Sequence, residues 1–517
     1  MEPLNRPEIL LDGQKFQLDP SRPLKAYICG PTVYNDSHLG HARSYMSFDI
    51  FRRILKTYFG QEMFVVMNVT DIDDKIINRA HEERVPFTEI ATRYEASFFE
   101  DMDTLHLARP DVVTHVTEYI DEIINYIQTI LDNGFAYRAN GSVYFDAVKF
   151  MTKFPDSYNP FGLTLGDGDH DSGDDVIISE KRDRRDFALW KARKADHEAG
   201  WASPFSDKMG RPAWNIECSV MATSTLGPHM DLHFGGVDLR FPHHTNEILQ
   251  VLAHQDTSDH WVERFVHFGH LQIRGLKMSK SLKNFITIKE ILSEYTPRQL
   301  RLLFLQHDRA GTLEYSEETM KNALVLEKTL AEFVTFMEYF VRKTGGAPPK
   351  KWDTRDDTFR DRVTGHRARI DQHLRQDLNT REVLITLQRL ITETYEYTAG
   401  NVHHGIIAQV DTFVTFVLDC LGVRFGGAGD AGADATTPII DLLVEFRDVV
   451  RAECFKLPAK KGLVDKTPEE LVSMVLQTKT ALLQATDDLR NTKLKTIGIK
   501  LEDKGAGKPS LWKRIES

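Results

Sequence analysis

Cysteine is scarce in this chain: only four of the 517 residues are cysteine, Cys29, Cys218, Cys420 and Cys454. Four thiols so far apart in the sequence exclude a disulfide framework. No apolar run approaches the roughly 20 residues that a helix needs to span a bilayer. The first residues also lack a signal-peptide core and the arginine-rich character of a transit peptide. We therefore expect a cytoplasmic protein with no membrane partner.

An excess of positive charge is also missing, since the formal net charge is −11. This charge argues against a protein that binds nucleic acid over most of its surface, but it is compatible with a local basic face that binds RNA. Hydrophobic residues make up 41% of the chain and charged residues 27%, as in ordinary globular proteins. A chain of 517 residues is too long for a single core and predicts three or four domains.

The most informative stretch is residues 24–60. The short apolar run from Ala26 to Cys29 predicts a buried strand, and Gly30-Pro31 ends it. A polar loop leads to His38-Leu39-Gly40-His41, after which apolar residues recur at helical spacing as far as Tyr58. We expect two imidazoles and free backbone N–H groups at a helix N-terminus, where anions bind. Taken alone, such a histidine pair is equally compatible with an ordinary polar loop.

Strands and helices alternate beyond this stretch. Residues 63–69 form a second apolar run that predicts a buried strand, followed by a helix. This alternation favours an α/β fold with a doubly wound, Rossmann-like parallel sheet whose site lies at the carboxyl ends of the strands. Further predicted elements are helices over 87–105, 116–133, 243–254, 318–342, 358–374, 381–399 and 406–421, and a hairpin over 135–145.

These elements suggest seven segments. They are the first half of the sheet domain (1–114), a connective insertion (115–205), the second half of the sheet domain (206–275), a lysine loop with the residues that follow it (276–317), a helical bundle (318–425), a flexible linker (426–437) and a small C-terminal domain (438–517). The Gly- and Asp-rich loop over 162–175 suggests no function.

Four residues have side chains suited to a metal site. His243 and Glu247 are four residues apart, so they share one face of a helix. Cys29 and Cys218 add two thiols, and this combination is a plausible set of Zn²⁺ ligands. Spacing alone leaves a second interpretation open, because a buried free cysteine is often only a small apolar side chain.

A second motif lies on a predicted polar loop, Lys277-Met278-Ser279-Lys280-Ser281. Two lysines flanked by serines can hold phosphate charge, although short basic runs are common. Combined with the histidine motif near His38, this loop could enclose a triphosphate from two sides. Such an arrangement suits nucleotidyl transfer, in which the protein acts by positioning and electrostatic stabilisation.

Together, the two motifs resemble the paired signature of class I aminoacyl-tRNA synthetases. Within that class, residues 24–290 resemble the cysteinyl-tRNA synthetases. The supporting segments are Cys29-Gly-Pro-Thr-Val-Tyr34, Asn68-Val-Thr-Asp-Ile-Asp-Asp-Lys75, Asp186-Phe-Ala-Leu-Trp-Lys191, Ile216-Glu-Cys-Ser219 and Phe241-Pro-His-His244.

The resemblance implies roles at the matching positions. One Zn²⁺ per chain would be held by Cys29, Cys218, His243 and Glu247 and would recognise the substrate thiol, which a borderline-soft ion prefers to a hydroxyl. The implied catalytic residues are His38, His41, Lys277 and Lys280. Those near the nucleotide are Gly40, Asp238, Met278 and Lys280, and those near the amino acid are Thr32, Asn35, Trp214 and His233. The implied partners are ATP with Mg²⁺, L-cysteine and tRNA(Cys), with a monomer as the default. For the segments, the resemblance implies that 1–114 and 206–275 form the catalytic domain with its zinc site, that 276–317 contact the tRNA stem and that 318–425 bind the anticodon.

Two departures from the family pattern surround the expected pocket. Many relatives have Gly-Trp-His where this chain has Ala213-Trp214-Asn215, and His-Gly-Gly-Gly where it has His233-Phe234-Gly235-Gly236. Replacing glycine by Phe234 fills space and restricts the backbone, and the sequence does not show which way this ring faces.

Two alternatives stay open beside a cysteine--tRNA ligase. One is an enzyme that ligates cysteine to a small amine, and the other is a non-catalytic RNA-binding scaffold. The more than 230 residues that follow the lysine loop favour tRNA as the acceptor, because a small amine needs no anticodon-binding region. The intact histidine and lysine motifs favour a catalyst over a scaffold.

Overall fold

The computed structural model describes residues 7–157, 159–162, 180–195, 198–273, 275–277, 285–344, 351–400, 402–425, 446, 449–450, 467–494, 499–502 and 511–514. The chain divides into two units, Met1–Phe425 and Gly426–Ser517.

The strands of the first unit are numbered in chain order. They are β1 (Glu8–Leu11), β2 (Gln14–Gln17), β3 (Leu24–Ile28), β4 (Met63–Val69), β5 (Val112–His115), β6 (Ala136–Ala139), β7 (Ser142–Phe145), β8 (Phe187–Ala192), β9 (Trp201–Ser203), β10 (Ser206–Pro212), β11 (Met230–Gly236), β12 (Val262–Phe268), β13 (Leu271–Ile273), β14 (Leu276–Lys277) and β15 (Leu313–Tyr315).

The helices of the same unit follow the same rule. They are α1 (Leu39–Arg53), α2 (Asp74–Glu83), α3 (Phe87–Thr104), α4 (Ile120–Asp132), α5 (Ala147–Lys153), α6 (Trp214–Leu226), α7 (Thr245–Gln255), α8 (Ile288–Glu294), α9 (Pro297–Leu305), α10 (Glu317–Thr344), α11 (Thr354–Arg375), α12 (Thr380–Thr398) and α13 (His404–Cys420).

The central sheet has the strand order β12-β11-β3-β4-β5, and every neighbouring pair is parallel. Strands β4 and β5 lie on one side of β3, and β11 and β12, which come later in the chain, lie on its other side. Loops leaving β3 and β11 therefore diverge to opposite faces, which opens a crevice at their carboxyl ends. This topology confirms the predicted doubly wound parallel sheet and places the crevice at the end of the first predicted strand.

The two faces of this sheet carry different cores because side chains alternate along a strand. Ala26 and Ile28 of β3 pack in the core that also contains α1. Tyr27 and the following Cys29 pack in the core of the opposite face, which contains α6 and α7. Side chains also alternate along β11, so neighbouring residues near its end face opposite sides of the sheet. This alternation decides which of them can reach the crevice.

A second sheet lies within the predicted insertion and has the order β6-β7-β8-β10-β9, with antiparallel pairing throughout. The hairpin expected over 135–145 is confirmed as β6 and β7. Strand β10 extends to Pro212 and pairs with β8, so this sheet continues beyond residue 205, where we expected the insertion to end. Lys191 and Arg211 are directly paired in that ladder.

The four helices predicted over 318–421 are confirmed as α10 to α13, with boundaries that differ by at most four residues from the expected ones. Each presents an apolar face to a shared core containing Leu330, Ile370, Leu387 and Val414. Their assignment as the region that binds the anticodon stays a prediction.

In the second unit the described elements are a helix, α14 (Pro468–Asp488), and an antiparallel hairpin of β16 (Ile499–Glu502) and β17 (Leu511–Arg514). Thr467 and Glu470 form a reciprocal cap at the start of the helix. The predicted linker over 426–437 and most of the loop over 162–175 lie outside the described residues. Among the helices described, none has the length and hydropathy that crossing a membrane requires.

Candidate active site

The crevice at the carboxyl ends of β3 and β11 opens into a cavity of about 650 Å³. Its walls include eight of the residues singled out from the sequence: Cys29, Thr32, Asn35, His38, Gly40, His41, Trp214 and Asp238. They come from the β3–α1 loop, the first turns of α1 and α6, and the turn after β11. The structure therefore brings the histidine motif and one predicted metal ligand to the same cavity.

The four predicted metal ligands form one buried cluster. The donor atoms of Cys29, Cys218, His243 and Glu247 all lie within 4.8 Å of one another. The Cys29 Sγ is 3.6 Å from the His243 Nε2, which is 2.9 Å from the Glu247 Oε1. All four side chains are buried. Two thiols, an imidazole and a carboxylate at this spacing fit a Zn²⁺ ion.

A second set of four residues shares part of this cluster. Cys29 and Glu247 also lie within 4.8 Å of donor atoms of His233 and His244. The His244 Nε2 is 3.4 Å from the Cys29 Sγ, while its Nδ1 is 2.9 Å from the Nε2 of His267. Sequence reasoning did not identify His244, because the adjacent His243 already satisfied the helical spacing.

Neighbouring charges prepare the first set for a cation. A hydrogen bond from Cys29 and the nearby His243 together lower the pKa of the Cys218 thiol to about 6, against the effect of burial. Burial opposes charge on His243, but Glu247 and Cys218 raise its pKa to about 10. Burial likewise opposes ionisation of Glu247, but His233 and His243 lower its pKa to about 2. The cluster therefore favours the ionised forms of Cys218 and Glu247, the two acidic groups that a cation would meet there.

A contact outside the cluster fixes the orientation of one ligand. The His243 Nδ1 is 3.0 Å from the Asn215 Oδ1. An amide oxygen can only accept, so Nδ1 carries the hydrogen and Nε2 faces the other donor atoms. Asn215 is one of the two departures noted in the sequence, and its place beside a metal ligand was not foreseen. A polar residue three positions before Cys218 on one helix is the only signal that could have indicated it.

His233 lies behind the cluster rather than at the cavity wall. It is completely buried, and its Nε2 is 2.8 Å from the Glu247 Oε2. Its contact is therefore with the carboxylate of a predicted metal ligand, and its expected place near the amino acid stays a prediction. Trp214 does reach the cavity, with its ring centroid 4.4 Å from that of His243.

The orientation of Phe234 is settled by the alternation along β11. Its ring packs 4.9 Å from Phe48 and 5.1 Å from Phe51 in the core beneath α1. His233, one residue earlier, points to the opposite face of the sheet, where the predicted metal ligands lie. The replacement of glycine by Phe234 therefore fills the apolar core and leaves the metal cluster untouched.

The histidine motif caps helix α1. The His38 Nδ1 accepts hydrogen bonds from the backbone N–H groups of Gly40 (3.0 Å) and His41 (3.3 Å), and the His41 Nδ1 accepts from the backbone of His38. The prediction of free backbone N–H groups is therefore wrong for this turn, because the motif satisfies them itself. Gly40 permits the arrangement, since a Cβ there would lie 2.8 Å from the His38 ring.

This cap decides which nitrogen each imidazole presents. Because both Nδ1 atoms accept, each neutral ring carries its hydrogen on Nε2. The rings are stacked with centroids 3.8 Å apart. The enclosed position and the adjacent His38 lower the pKa of His41 to about 3, so His41 is neutral near pH 7. Two neutral donors at the positive end of a helix form a favourable setting for phosphate oxygens.

The remaining site residues predicted from the sequence have contacts that do not by themselves indicate a role. Asn35 accepts a hydrogen bond from the Arg79 guanidinium at 3.1 Å, and Thr32 forms a backbone bridge with Thr70. Asp238 lies in a short turn immediately after β11 and faces the cavity. Lys277 ends strand β14, while Met278 and Lys280 lie outside the described residues. The roles of these residues stay predictions.

Comparison with known proteins agrees with this geometry. Residues 16–325 match the family model described as the tRNA synthetases class I (C) catalytic domain. A solved methionyl-tRNA synthetase from Mycobacterium tuberculosis, in complex with methionyl-adenylate, superposes with a TM-score of 0.58 at 14% identity, covering 78% of this chain and 90% of that one. At this identity the likeness concerns the fold alone. The fold and the family model together define a class I tRNA synthetase.

More similar proteins narrow the family. The protein named cytoplasmic cysteine--tRNA ligase in Dictyostelium discoideum is 39% identical over 95% of this chain and 74% of its own length. Its namesake in Homo sapiens is 34% identical over 95% of this chain and 79% of its own length. The chain belongs to the cysteine--tRNA ligase family. The predictions of the fold class, the family and an enzyme of the tRNA synthetase class are thus confirmed.

Proposed function

We propose that this protein activates L-cysteine with ATP and transfers it to the 3′ end of tRNA(Cys). The observation that carries the proposal is the juxtaposition of two chemistries in one crevice. The buried cluster of Cys29, Cys218, His243 and Glu247 reaches the cavity through Cys29, and His38 and His41 line the same cavity. One part suits recognition of a thiol, and the other suits binding of a triphosphate.

The metal cluster would select the amino acid. We infer that it holds one Zn²⁺, with His233 and Asn215 orienting the ligands Glu247 and His243 through the contacts described above. When bound, zinc supplies a borderline-soft Lewis acid that prefers a thiolate to a hydroxyl. Trp214 lies against His243 and at the cavity wall, where it can cover the bound amino acid.

The nucleotide would lie along the other wall of the cavity. His38 and His41 would donate through Nε2–H to the phosphates of ATP, which would carry Mg²⁺, while Asp238 would accept from ribose hydroxyls. In the first step a carboxylate oxygen of cysteine attacks the α-phosphorus, the bond to the bridging oxygen breaks, and pyrophosphate leaves. Lys277 and Lys280 would stabilise the charge that develops, with Gly40 and Met278 beside the nucleotide.

In the second step a terminal ribose hydroxyl of tRNA attacks the carbonyl carbon of the adenylate, and AMP leaves. Thr32 and Asn35 would border the amino acid at the entrance to the cavity. The bundle of α10 to α13 would contact the tRNA further from its 3′ end, in agreement with our prediction for residues 318–425. The named relatives are cytoplasmic, and we infer the same compartment, with a monomer as the working unit.

The test is cysteine-dependent exchange of pyrophosphate into ATP by zinc-loaded protein, with serine as the competing substrate. We expect exchange with cysteine and little with serine, followed by stable charging of tRNA. Absence of exchange would refute the proposal. Exchange without charging of tRNA would instead favour an enzyme that uses a small amine as acceptor.

A matched pair of cysteine variants tests the metal assignment. Cys218→Ser should lose bound zinc and discrimination against serine together, because a hydroxyl is a poorer zinc ligand than a thiolate. Cys420→Ser is the control, since Cys420 is also buried and free but ends helix α13 in the bundle. Retention of zinc and of selectivity in Cys218→Ser would refute the assignment of this ligand.

A further inference from the structure

The active-site cavity has a side that the proposed nucleotide and metal sites leave unused. Gly235, near the end of β11, and Asp238, just after it, lie on one side of β3 in the sheet order. Lys75 lies in the first turn of α2, which follows β4 on the other side of β3. Lys75 and Tyr34 line the same cavity as His38, so a ligand in this cavity can contact both side chains.

Lys75 and Tyr34 present complementary chemistry there. The Lys75 Nζ lies 5.4 Å from the centroid of the Tyr34 ring, within the range of a cation–π contact. The Lys75 side chain is exposed, and Tyr34 is half-buried. An ammonium binds a phosphodiester oxygen, while an aromatic ring stacks on a nucleobase. The pair therefore matches a single-stranded nucleotide better than it matches either an amino acid or a triphosphate.

Neighbouring contacts hold this edge in place. The Arg79 guanidinium donates to the Asn35 Oδ1 at 3.1 Å and lies 4.7 Å from the ring centroid of Tyr94. These contacts tie the loop that carries Tyr34 to α2 and α3. The pair therefore belongs to a fixed wall of the cavity.

The same turn of α2 is where the second sheet meets the crevice. Asp74, the neighbour of Lys75, forms ion pairs with Lys191 of β8, at 3.6 Å, and with the buried Arg211 of β10. Arg211 is also paired with Glu198 at 3.4 Å. These ion pairs balance the charges of Lys191 and Arg211 and anchor the first turn of α2, which carries Lys75, on the second sheet.

We propose that Lys75 and Tyr34 bind the 3′-terminal nucleotides of the tRNA acceptor strand, with Lys75 on a phosphate and Tyr34 stacked on a base. The inference rests on the proposed function. The nucleotide would occupy the β11 side and the cysteine side chain the metal cluster, so the attacking ribose hydroxyl would enter from the β4 side, past the entrance that Thr32 and Asn35 border. Among the described residues that line the cavity, Lys75 and Tyr34 lie beside this entrance and have a cation and an aromatic ring suited to RNA.

The test compares pyrophosphate exchange with tRNA charging in four variants: Lys75→Ala, Lys75→Arg, Tyr34→Ala and Tyr34→Phe. We expect the two alanine variants to lower kcat/KM for tRNA by about tenfold or more relative to their effect on exchange. The Arg and Phe variants keep the charge and the ring and should stay close to the unaltered protein. Lys56→Ala is a control for loss of a lysine, because Lys56 is an exposed residue paired with Glu62 away from the cavity.

Salt dependence separates a phosphate contact from a structural role. In a logarithmic plot of kcat/KM for tRNA against salt concentration, Lys75→Ala should reduce the slope by about 0.7, the value for one contact to a single strand. Tyr34→Ala should leave the slope unchanged. If the two substitutions only disturbed the structure, both would lower kcat/KM for tRNA and their salt slopes would not differ. That result would count against a phosphate contact by Lys75.

Two results would overturn the inference. If Lys75→Ala charges tRNA as well as the unaltered protein does, Lys75 does not contact the acceptor strand. A raised KM for ATP in exchange, equal to the loss in charging, would assign Lys75 to the triphosphate instead. Absence of exchange in the unaltered protein would refute the proposed function as well, so the two failures are distinguishable.

Discussion

Asn215 offers a sharp test of the metal site because it touches a proposed ligand without belonging to the ligand set. Its Oδ1 accepts from the His243 Nδ1 at 3.0 Å, while the His243 Nε2 lies 2.9 Å from the Glu247 Oε1. Asn215→Ala removes the acceptor and leaves the Nδ1–H without its partner. The imidazole then loses both its orientation and its preference for carrying hydrogen on Nδ1, the tautomer that leaves Nε2 available as a ligand.

The magnitude follows from the known cost of removing such a contact. Loss of a hydrogen bond that orients a metal ligand costs about 10- to 100-fold in metal affinity. This corresponds to about 1.4–2.7 kcal/mol of binding free energy. Asn215 is half-buried, so water can replace part of the lost interaction, and we expect the lower half of this range.

The assay is competition for zinc between the protein and a chromophoric chelator, read as the dissociation constant of each variant. Asn215→Asp provides a charged acceptor in the same position and should bind zinc at least as tightly as the unaltered protein. Asn215→His restores the residue that many relatives have and should retain most of the affinity. A dissociation constant for Asn215→Ala within about twofold of the unaltered value would refute the reasoning, because removing an orienting contact should cost at least tenfold.

Three further predictions concern stability and backbone geometry. Phe234→Ala should lower the free energy of unfolding in urea by about 3–5 kcal/mol, because it leaves a cavity beneath α1, while zinc affinity stays unchanged. The hydrogen bond with Glu95 raises the pKa of His115 to about 9, but the pair is partly exposed and water screens it. We therefore expect only about 1–2 kcal/mol of added stability below about pH 6.5, and this gain should disappear as the pH rises through about 9. Comparison with His115→Gln across this pH range measures it. Gly30→Ala should abolish zinc binding, because the new Cβ would overlap the carbonyl oxygen of Asn68 and displace the adjoining strand end.

Each of these three predictions has a contradicting result. Altered discrimination between cysteine and serine in Phe234→Ala would place that ring in the pocket. A stability difference for His115→Gln that is independent of pH would remove the ion pair as its source. Normal zinc binding by Gly30→Ala would show that the strand end tolerates a shift.

Secondary structure was largely predictable where apolar periodicity is strong. Strand β4 has the bounds expected from its apolar run, and helix α3 ends within one residue of the predicted position. Local order of this kind follows from residues that are close in the chain. The first strand was predicted to continue through Cys29. The observed β3 ends at Ile28, although the Cys29 backbone N–H still donates to the Phe234 carbonyl of β11 at 3.0 Å.

Contacts between residues that are far apart in the sequence were harder to predict. His243 and Glu247 share a helix face that spacing reveals, but Cys29 reaches His243 across 214 residues. The buried contact of His233 with Glu247 and the place of Asn215 beside His243 depend on how α6, α7 and β11 pack together. No periodicity reports such packing, so these residues had no distinguishing pattern in the sequence.

The sequence by itself determined the α/β character, the histidine and lysine motifs, and the four side chains able to hold a metal. Their chemical types are properties of single residues and short segments, which is why they can be read along the chain. Only the tertiary structure decided that His38 satisfies the helix N-terminus, that Phe234 faces away from the metal cluster, and that Lys75 enters the cavity from the unused side. Those outcomes depend on strand order and on the alternation of side chains across a sheet, which exist only once distant segments have come together.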